Sequence, residues 1–325
     1  MNEHKKIGLF GFGTVGQGFY ENLKKHPQLA ASIDKVCVKR IDLPRIGHEL
    51  YFTDDPNELL LDPALDIIIE LIDDAEAAKQ YVHTALRNGK CVISANKKMI
   101  AESLKQIDQW HNQFETTFLY EAAVGGGIPI VHTVDGFLRD QEVLKIRGIL
   151  NGSSNYILTQ MQLHQWSFEK ALNDAQMKGF AERNPTLDIS GVDASYKLSI
   201  LAYHAFGEVF SMSSFSSESI ENITKETIKK AKSQGKKIKP VATIERTEKG
   251  IVCTVKPEAV GPDDELYSID FENNAISVET LISGKHIAAG KGAGSLPTGS
   301  AVLEDLKRLL SSYSYQVSKA IKTVA

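Results

Sequence analysis

Residues 6–16 have the sequence KIGLFGFGTVG, in which a short apolar segment leads directly into a glycine-rich turn. The pattern G-x-G-x-x-G between a strand and a helix is typical of dinucleotide binding. Its first glycine allows a tight turn, its second lets the backbone approach a pyrophosphate, and its third lets strand and helix pack closely. The alternative is a glycine-rich turn without a ligand. We predict cofactor contacts at Gly11, Phe12, Gly13, Thr14, Val15 and Gly16.

Residues 1–120 alternate strand-length apolar segments with longer amphipathic ones. Asp66–Leu71 shows no polar alternation, which is typical of a strand covered on both faces in a parallel sheet. Repeated strand–helix–strand units predict a doubly wound α/β domain. The expected strands are Lys6–Phe10, Lys35–Val38, Asp66–Leu71, Cys91–Ser94 and Thr117–Tyr120. The expected helices are Thr14–Lys25, Ala75–Asn88 and Met99–Phe114.

After Gly125-Gly126-Gly127 the pattern becomes mixed, which predicts a second, α+β domain. A hairpin is expected from Pro240–Arg246 and Gly250–Val255, because both alternate around a polar turn with glycine. The serine-rich stretch Ser211–Ser219 is expected to be a surface loop. The remaining expected elements are a strand at Val143–Leu150 and helices at Asn155–His164, Phe168–Lys178, Val192–Phe206 and about 299–322.

The composition limits the classes of partner. The 325 residues include 37 Lys+Arg and 41 Asp+Glu, so the net charge of −4 gives no reason to expect nucleic-acid or membrane-surface binding. No apolar run approaches the roughly 18 residues that span a bilayer. Three widely separated cysteines and a polar start without a leader pattern favour a reducing compartment, by default the cytoplasm. A small-molecule partner is expected.

Two basic residues, Lys39-Arg40, follow the second expected strand, where NAD-preferring folds place an acid for the ribose 2′-hydroxyl. Two cations there suit a 2′-phosphate and favour NADP(H) over NAD(H). The alternative is a solvated basic pair, with Asp42 serving as the ribose-binding acid.

A cluster of acids precedes one lysine in residues 179–197. If a helix opens near Asp193, then Asp193 and Lys197 lie four residues apart on one face and can reach the same ligand. A dehydrogenase needs carboxylates to hold a substrate ammonium and a lysine to protonate an alkoxide. The alternative is an ordinary surface ion pair.

Three further segments carry candidate residues. Ser94 and Lys97 follow a strand whose carboxyl end points to the cofactor side of the sheet, although Lys97 is equally a solvated lysine in a basic loop. In 121–129, Glu121 and three glycines expose oxygens that suit a hard cation or a cofactor edge; the alternative is a flexible domain junction. Gly290–Gly294 is a second close-approach loop or a connector.

Taken together, these motifs resemble one family, homoserine dehydrogenase. Members reduce aspartate semialdehyde to homoserine with NAD(P)H, on the route to threonine and methionine. They use a Rossmann-like domain and a catalytic domain that also dimerises. The resemblance covers essentially the whole chain, in order, at Gly11–Gly16, Ser94–Lys97, Glu121–Pro129, Gly148–Tyr156, Gly179–Lys197 and Gly290–Thr298.

The resemblance implies specific roles. Lys197 is the expected proton donor and Lys97 a second lysine near nicotinamide and substrate. Glu182 and Asp193 are the expected substrate-binding acids, with Asp188 as a helper. A monovalent cation, normally sodium, is expected at Glu121 and the backbone of Val124, Gly126 and Ile128. Gly179 and Gly292 are expected to approach the cofactor or the cation.

The same resemblance implies a dinucleotide-binding domain at 1–128, with a helix at about 299–325 packing back on it, and a substrate-binding, catalytic and dimerisation domain at 129–298. A homodimer or homotetramer is expected. Longer members carry a regulatory domain after the catalytic one, so a sequence ending at Ala325 implies a short form.

Three positions depart from the family pattern: Asn184 replaces a usual aspartate, Ser153 a threonine, and Asp73-Asp74 a Gly-Gly pair. Two acids beside a dinucleotide would repel its phosphates if they pointed inward. Two other functions therefore stay open. One is a different NAD(P)-dependent oxidoreductase acting on an amino-acid aldehyde or hydroxy acid, and the other is a dinucleotide sensor without turnover.

Overall fold

The computed structural model describes residues 3–248 and 250–315 and the backbone of residues 322–323. Its described residues form two compact units. The first comprises residues up to 127 together with 293–315, and the second comprises 128–292 together with 322–323. Each unit has a six-stranded sheet of its own.

The first unit contains a parallel sheet with the strand order β3-β2-β1-β4-β5-β6. This is the order of doubly wound dinucleotide-binding domains, so the predicted fold class is confirmed. Ile67, Ile68 and Ile69 are at most 1% exposed, as expected for a strand covered on both faces. The strands are β1 Lys5–Phe10, β2 Ala31–Cys37, β3 Tyr51–Thr53, β4 Ile67–Glu70, β5 Cys91–Ser94 and β6 Phe118–Leu119.

Four helices connect these strands: α1 Thr14–Lys24, α2 Asn57–Leu60, α3 Ala75–Arg87 and α4 Lys97–Gln113. The sequence did not predict β3 or α2, because each is only one turn or three residues long and carries too few apolar residues to show a period. Helix α4 begins two residues before the predicted Met99, since Asn96 caps it through a hydrogen bond from the Met99 amide.

The second unit contains a mixed sheet with the order β13-β12-β7-β10-β11-β9. The predicted hairpin is confirmed, with Thr247 paired to Gly250, but its strands are longer than expected. A second hairpin, β12–β13, was not predicted because β13 is an exposed edge strand rich in glycine and alanine. The strands are β7 Val143–Ile149, β8 Glu208–Val209, β9 Ser216–Ser217, β10 Lys237–Thr247, β11 Gly250–Val260, β12 Asn273–Thr280, β13 Gly284–Lys291 and β14 Lys322–Thr323.

The helices of the second unit are α5 Ile130–His132, which continues as a π-helical turn at Thr133–Phe137, α6 Gly152–His164, α7 Phe168–Met177, α8 Thr186–Ile189, α9 Val192–Phe206 and α10 Lys225–Ser233. The expected loop Ser211–Ser219 is partly regular, because it contains a 3₁₀ turn and the edge strand β9. Helix α10 was missed, since it buries only Ile228 and Ala231.

The terminal helix, α11 Ser295–Leu310, starts and ends earlier than predicted. Pro297 fits its first turn, where an amide donor is not required. A Cβ placed on Gly299 would lie 2.4 Å from the Gly18 carbonyl carbon, so α11 packs closely on α1 of the same unit. Residues 316–321, 324 and 325, which the predicted helix included in part, lie outside the described residues. None of the helices in the described part of the chain is long and apolar enough to cross a membrane.

Candidate active site

The glycine-rich turn connects β1 to α1 at the carboxyl end of the sheet. Gly11 has a φ of +86°, and a Cβ there would lie 2.6 Å from the Leu71 carbonyl oxygen. A Cβ on Gly16 would lie 2.4 Å from the Gly11 oxygen, whereas no atom of the described residues lies within 4 Å of one on Gly13. Among the residues that the structure describes, no side chain caps α1, so its first amides are available to an anion. The turn therefore fits a dinucleotide pyrophosphate, with Gly13 as the open position.

The basic residues after β2 are exposed, as expected for groups that would meet a phosphate. Lys39 Nζ lies 3.7 Å from Asp74 Oδ2. Arg45, which was not predicted from the sequence, donates to the Leu43 carbonyl at 2.7 Å and to the carbonyl of Arg40, and stands over the Phe52 ring. This segment therefore holds three cations. Arg45 lies six residues after Lys39, and this clustering of basic residues in the sequence could have identified it.

Asp74, one of the two departures from the family pattern near the cofactor turn, serves its own helix. Its Oδ1 accepts a hydrogen bond from the Ala77 amide at 3.1 Å, which caps α3. That bond and the nearby Lys39 ammonium lower the pKa of Asp74. The carboxylate thus has partners within the protein, and its pairing with Lys39 competes with any phosphate for that lysine.

A buried carboxyl, Glu70, lies under the same edge of the sheet and was not selected from the sequence. Ser94 Oγ donates to it at 2.6 Å and the Ile72 amide at 2.8 Å, and burial raises its pKa to about 7. The hydroxyl of Ser94 is therefore directed into the protein. Ser94 Oγ also accepts from the Asn96 amide at 3.0 Å, which links Glu70 to the residue that caps α4. The sequence feature that could have identified Glu70 is a single acidic residue at the end of an apolar strand.

Lys97 is the first residue of α4 and is half-buried. Its backbone amide donates to the Ala95 carbonyl at 3.0 Å. The lysine thus begins a helix that directly follows a central strand. Lys97 therefore lies at the start of a helix, and not in the basic loop that was the alternative.

Glu121 begins a 3₁₀ turn and is 2% exposed. Its amide donates to Asp305 Oδ2 at 2.8 Å, and its carbonyl accepts from the Val124 amide at 3.1 Å. Gly126, shortly after this turn, has a φ of +56° in the left-handed region, and in the second unit the Ile128 carbonyl accepts from the Ile130 amide. Among the residues described, no three His, Cys, Asp or Glu side chains are grouped to hold a metal, so a cation here would depend largely on backbone oxygens.

Lys197 and Asp193 form a buried pair on α9. Lys197 Nζ lies 2.7 Å from Asp193 Oδ2 and 2.7 Å from the Leu150 carbonyl oxygen. The two side chains are only 10% and 6% exposed, so the alternative of a surface ion pair is wrong. An ammonium held by one carboxylate and one carbonyl is oriented for proton transfer.

The remaining acids of this segment differ in placement. Asp188, on α8, is half-buried and accepts from Asn151 Nδ2 at 2.7 Å. Glu182 is exposed, and its carbonyl accepts from Gln176 at 2.9 Å. The structure therefore brings Asp188, Asp193 and Lys197 together and leaves the Glu182 side chain at the surface.

The other departures from the family pattern have local functions. Asn184 Oδ1 accepts from the Thr186 hydroxyl at 2.6 Å at the start of α8. Ser153 Oγ donates to the Phe180 carbonyl at 2.6 Å, so a serine hydroxyl is sufficient to anchor the segment that follows α7. Gly179 has a φ of +77°, and none of the residues described comes within 4 Å of a Cβ added there.

Gly292 lies directly after β13. The first two residues of the expected loop at 290–294 therefore belong to that strand. A Cβ on Gly292 would lie 2.0 Å from Asn274 Nδ2. Asn274 is fully buried, and its side-chain amide has no hydrogen-bond partner among the residues that the structure describes. Glycine is required at 292 by this close approach.

An α/β unit with this strand order and turn, in one chain with a buried acid–lysine pair, is the organisation of an NAD(P)-dependent oxidoreductase. Residues 11–121 match the family model described as homoserine dehydrogenase, NAD binding domain, and residues 129–306 match the model for homoserine dehydrogenase. The chain belongs to the homoserine dehydrogenase family.

Comparison with individual relatives gives the same family. The chain is 34% identical over 315 residues to the homoserine dehydrogenase of Lactococcus lactis, covering 94% of this chain and 74% of that one. The crystal structure of the Thiobacillus denitrificans homoserine dehydrogenase superposes with a TM-score of 0.92 at 32% identity, covering 98% of this chain and 79% of that one. A hyperthermophilic archaeal homoserine dehydrogenase in complex with NADPH shares the fold, with a TM-score of 0.81 at 23% identity and coverage of 96% and 99%.

Proposed function

We propose that the protein is a homoserine dehydrogenase that interconverts L-aspartate 4-semialdehyde and L-homoserine with NAD(P)H, on the route to threonine and methionine. The observation that carries this proposal is the buried pair of Lys197 and Asp193, in a chain whose family is homoserine dehydrogenase. When bound, the nicotinamide cofactor supplies or accepts the hydride.

The side chains of the second unit have separable roles. Lys197, held by Asp193 and the Leu150 carbonyl, gives a proton to the alkoxide that forms on the aldehyde carbon and takes it back in the reverse direction. Asp193 and Asp188 bind the substrate ammonium and so orient the carbonyl, and Glu182 joins them when substrate is present. Lys97 adds a second ammonium.

The first unit is the nucleotide-binding domain, and Gly179 and Gly292 contribute backbone that approaches the cofactor. The turn 11–16 and Lys97 bind the dinucleotide, and Lys39 and Arg40 favour NADP(H) over NAD(H). Ser94, the other residue predicted to contact the cofactor here, has its hydroxyl on Glu70 and acts by supporting this edge of the sheet. Three cations between 39 and 45 support this preference, although Asp74 weakens it by pairing with Lys39.

Four further features belong to the same proposal. Sodium binds at Glu121 and the carbonyls of Val124, Gly126 and Ile128; the two left-handed glycines at 125 and 126 support such a turn of converging oxygens. The second unit forms the interface of a homodimer or homotetramer. The net charge of −4 supports a small-molecule substrate rather than nucleic acid, and the cytoplasm is the proposed location.

The experiment is a spectrophotometric assay of L-homoserine oxidation with NADP and NAD in parallel, with sodium replaced by choline in a second series. Turnover with homoserine, faster with NADP at low cofactor concentration and stimulated by sodium, is the expected result. Turnover of another hydroxy amino acid but not homoserine would overturn the substrate assignment. Cofactor binding without any turnover would support a dinucleotide sensor.

A further inference from the structure

Asn151 lies between β7 and α6 and is 6% exposed. Both the oxygen and the nitrogen of its side-chain amide make hydrogen bonds. Its Oδ1 accepts from the Ser154 amide at 2.8 Å, which caps α6. Its Nδ2 donates to Asp188 Oδ1 at 2.7 Å and to Asp193 Oδ2 at 2.9 Å. One nitrogen therefore joins two carboxylates that come from different helices.

The dipeptide Leu150-Asn151 reaches both members of the buried acid–lysine pair. The Leu150 carbonyl accepts from Lys197 Nζ at 2.7 Å, while the Asn151 amide donates to the carboxylate of Asp193. Asp193 Oδ2 is the oxygen that also accepts from Lys197 Nζ. The end of β7 thus sets the ammonium and its carboxylate partner from one short piece of backbone.

Helix capping alone does not account for an asparagine here. Ser167 and Thr224 cap α7 and α10 in the same unit with a hydroxyl oxygen, so an acceptor is sufficient for that function. What asparagine adds is an NH₂ group with two donors. Ionised carboxylates are acceptors only, and two of them placed close together repel each other unless donors lie between them.

We propose that Asn151 is a positioning residue for the reaction, whose NH₂ group holds Asp188 and Asp193 in one arrangement and thereby fixes Asp193 against Lys197. This rests on the proposed roles of Lys197 and Asp193. Without the bridge, the Asp188 carboxylate is no longer held against that of Asp193, and the substrate ammonium and the proton donor are no longer positioned by the same group. Misplacement of catalytic groups by about 1 Å can cost on the order of 100-fold in rate.

Two variants separate positioning from capping. Asn151→Ser and Asn151→Asp both keep a good N-cap oxygen, but neither retains the NH₂ group. We expect kcat/KM for homoserine to fall about 10- to 100-fold in Asn151→Ser, with both a lower kcat and a higher KM, and further in Asn151→Asp, which brings a third carboxylate to the pair. The dissociation constant for NADPH, measured by fluorescence titration, should stay within about twofold because the dinucleotide turn is unchanged.

Thr224→Ala and Lys197→Ala are the controls. Thr224→Ala removes a helix cap on α10, which carries none of these acids, and should lower the melting temperature without changing kcat. If Asn151→Ser behaves like Thr224→Ala while Lys197→Ala is inactive, Asn151 only caps its helix and the positioning role is overturned. If Lys197→Ala keeps the wild-type rate, the proposed proton donor is wrong and the inference falls with it. Should Asn151→Asp fail to fold, Asn151→Ser decides alone.

Discussion

The Asp305 side chain accepts a hydrogen bond from the backbone amide of Glu121 at 2.8 Å, across 184 residues of sequence. Both residues are buried, and burial raises the pKa of Asp305 well above its usual range. Helix α11 thus carries an acceptor into the turn that holds the proposed cation ligand. This contact explains why the terminal helix is part of the first unit and not an appendage.

Replacing Asp305 by alanine should destabilise the first unit by about 1–3 kcal/mol, because it leaves the Glu121 amide buried without an acceptor. Asp305→Asn keeps an oxygen in the same place and should cost clearly less. Urea unfolding followed by circular dichroism measures both. Equal losses in the two variants would show that the carboxyl group, and not the acceptor, is what matters.

Lys197→Ala should lower kcat by about 10²- to 10⁴-fold, the range of general acid catalysis, and leave NADP(H) affinity near its original value. Asp193→Ala should also raise KM, because it removes ground-state binding of substrate. Lys178→Ala is the matched control, since Lys178 pairs with Asp174 at the same helical spacing but is 51% exposed. A Lys197→Ala enzyme that keeps more than about a tenth of kcat, with chemistry rate-limiting, would move the proton-donor role elsewhere.

The cofactor preference should respond to charge at residues 39, 40 and 74. Changing Lys39 and Arg40 together to alanine should remove an NADP preference of order 1 to 3 kcal/mol, the range for hydrogen bonds to charged groups. Asp74→Asn keeps the cap on α3 but frees Lys39, so NADP(H) should bind about twofold to fivefold more tightly relative to NAD(H). Titration of both cofactors measures the ratio. An unchanged ratio in the double alanine variant means that the 2′-phosphate is bound by other residues.

Gly299→Ala should destabilise the protein by about 1–3 kcal/mol, because the new methyl group would meet the backbone of Gly18 and Phe19. The usual gain in helix propensity from glycine to alanine, about 1 kcal/mol, does not offset a clash with backbone atoms. Gly136→Ala, where nothing lies within 4 Å of the added Cβ, is the control and should change stability little. Thermal unfolding of the two variants makes the comparison, and similar melting temperatures would contradict the close packing of α1 and α11.

Glu70→Gln should change how stability depends on pH. The pKa of Glu70 is about 7 in the folded protein against 4.5 for the ordinary side chain, because burial disfavours its charge. Between these values the unfolded chain has lost the proton and the native one keeps it, so the free energy of unfolding falls as pH rises. The stabilising contribution is complete below about pH 4.5 and lost above about pH 7.

Glutamine at 70 does not titrate, so the variant should gain stability relative to wild type across this window, by at most about 3 kcal/mol. Denaturant unfolding from about pH 5 to about pH 8 measures the difference. Glu76→Gln, at an exposed carboxylate of α3, should follow the wild-type curve. Parallel curves for wild type and Glu70→Gln would mean that Glu70 is ionised in the folded protein throughout.

The sequence predicted features whose signal is local. The turn 11–16 is recognisable because its three glycines follow a strand and open a helix, and the spacing of Asp193 and Lys197 places them on one face of α9. The hairpin around Thr247 was likewise visible in its alternation. Each of these depends on residues fewer than about a dozen positions apart, where helical or strand periodicity determines which side chains meet.

Features that depend on distant contacts were not predictable in this way. Asn151 meets Asp193 across 42 residues, and Ser94 meets Glu70 across 24, so no periodicity connects them. The edge strand β13 was missed because alternate small and polar residues give little contrast between its faces. The start of α11 was misplaced because the packing against Gly18, and not the apolar spacing after Gly299, determines where that helix begins.

The first sheet receives its last helix late in synthesis. A ribosome that has finished β6 must still add residues 128–292 of the second unit before α11 emerges, because Asp305 follows Glu121 by 184 residues. At about 5–20 residues per second this interval is about 10 to 40 s. During it, α1 has an open glycine face and the Glu121 amide has no Asp305 carboxylate to accept its hydrogen bond. The second unit is almost continuous in sequence and can therefore complete its core before α11 packs on the first unit. The part of the chain that is synthesised later thus finishes folding first.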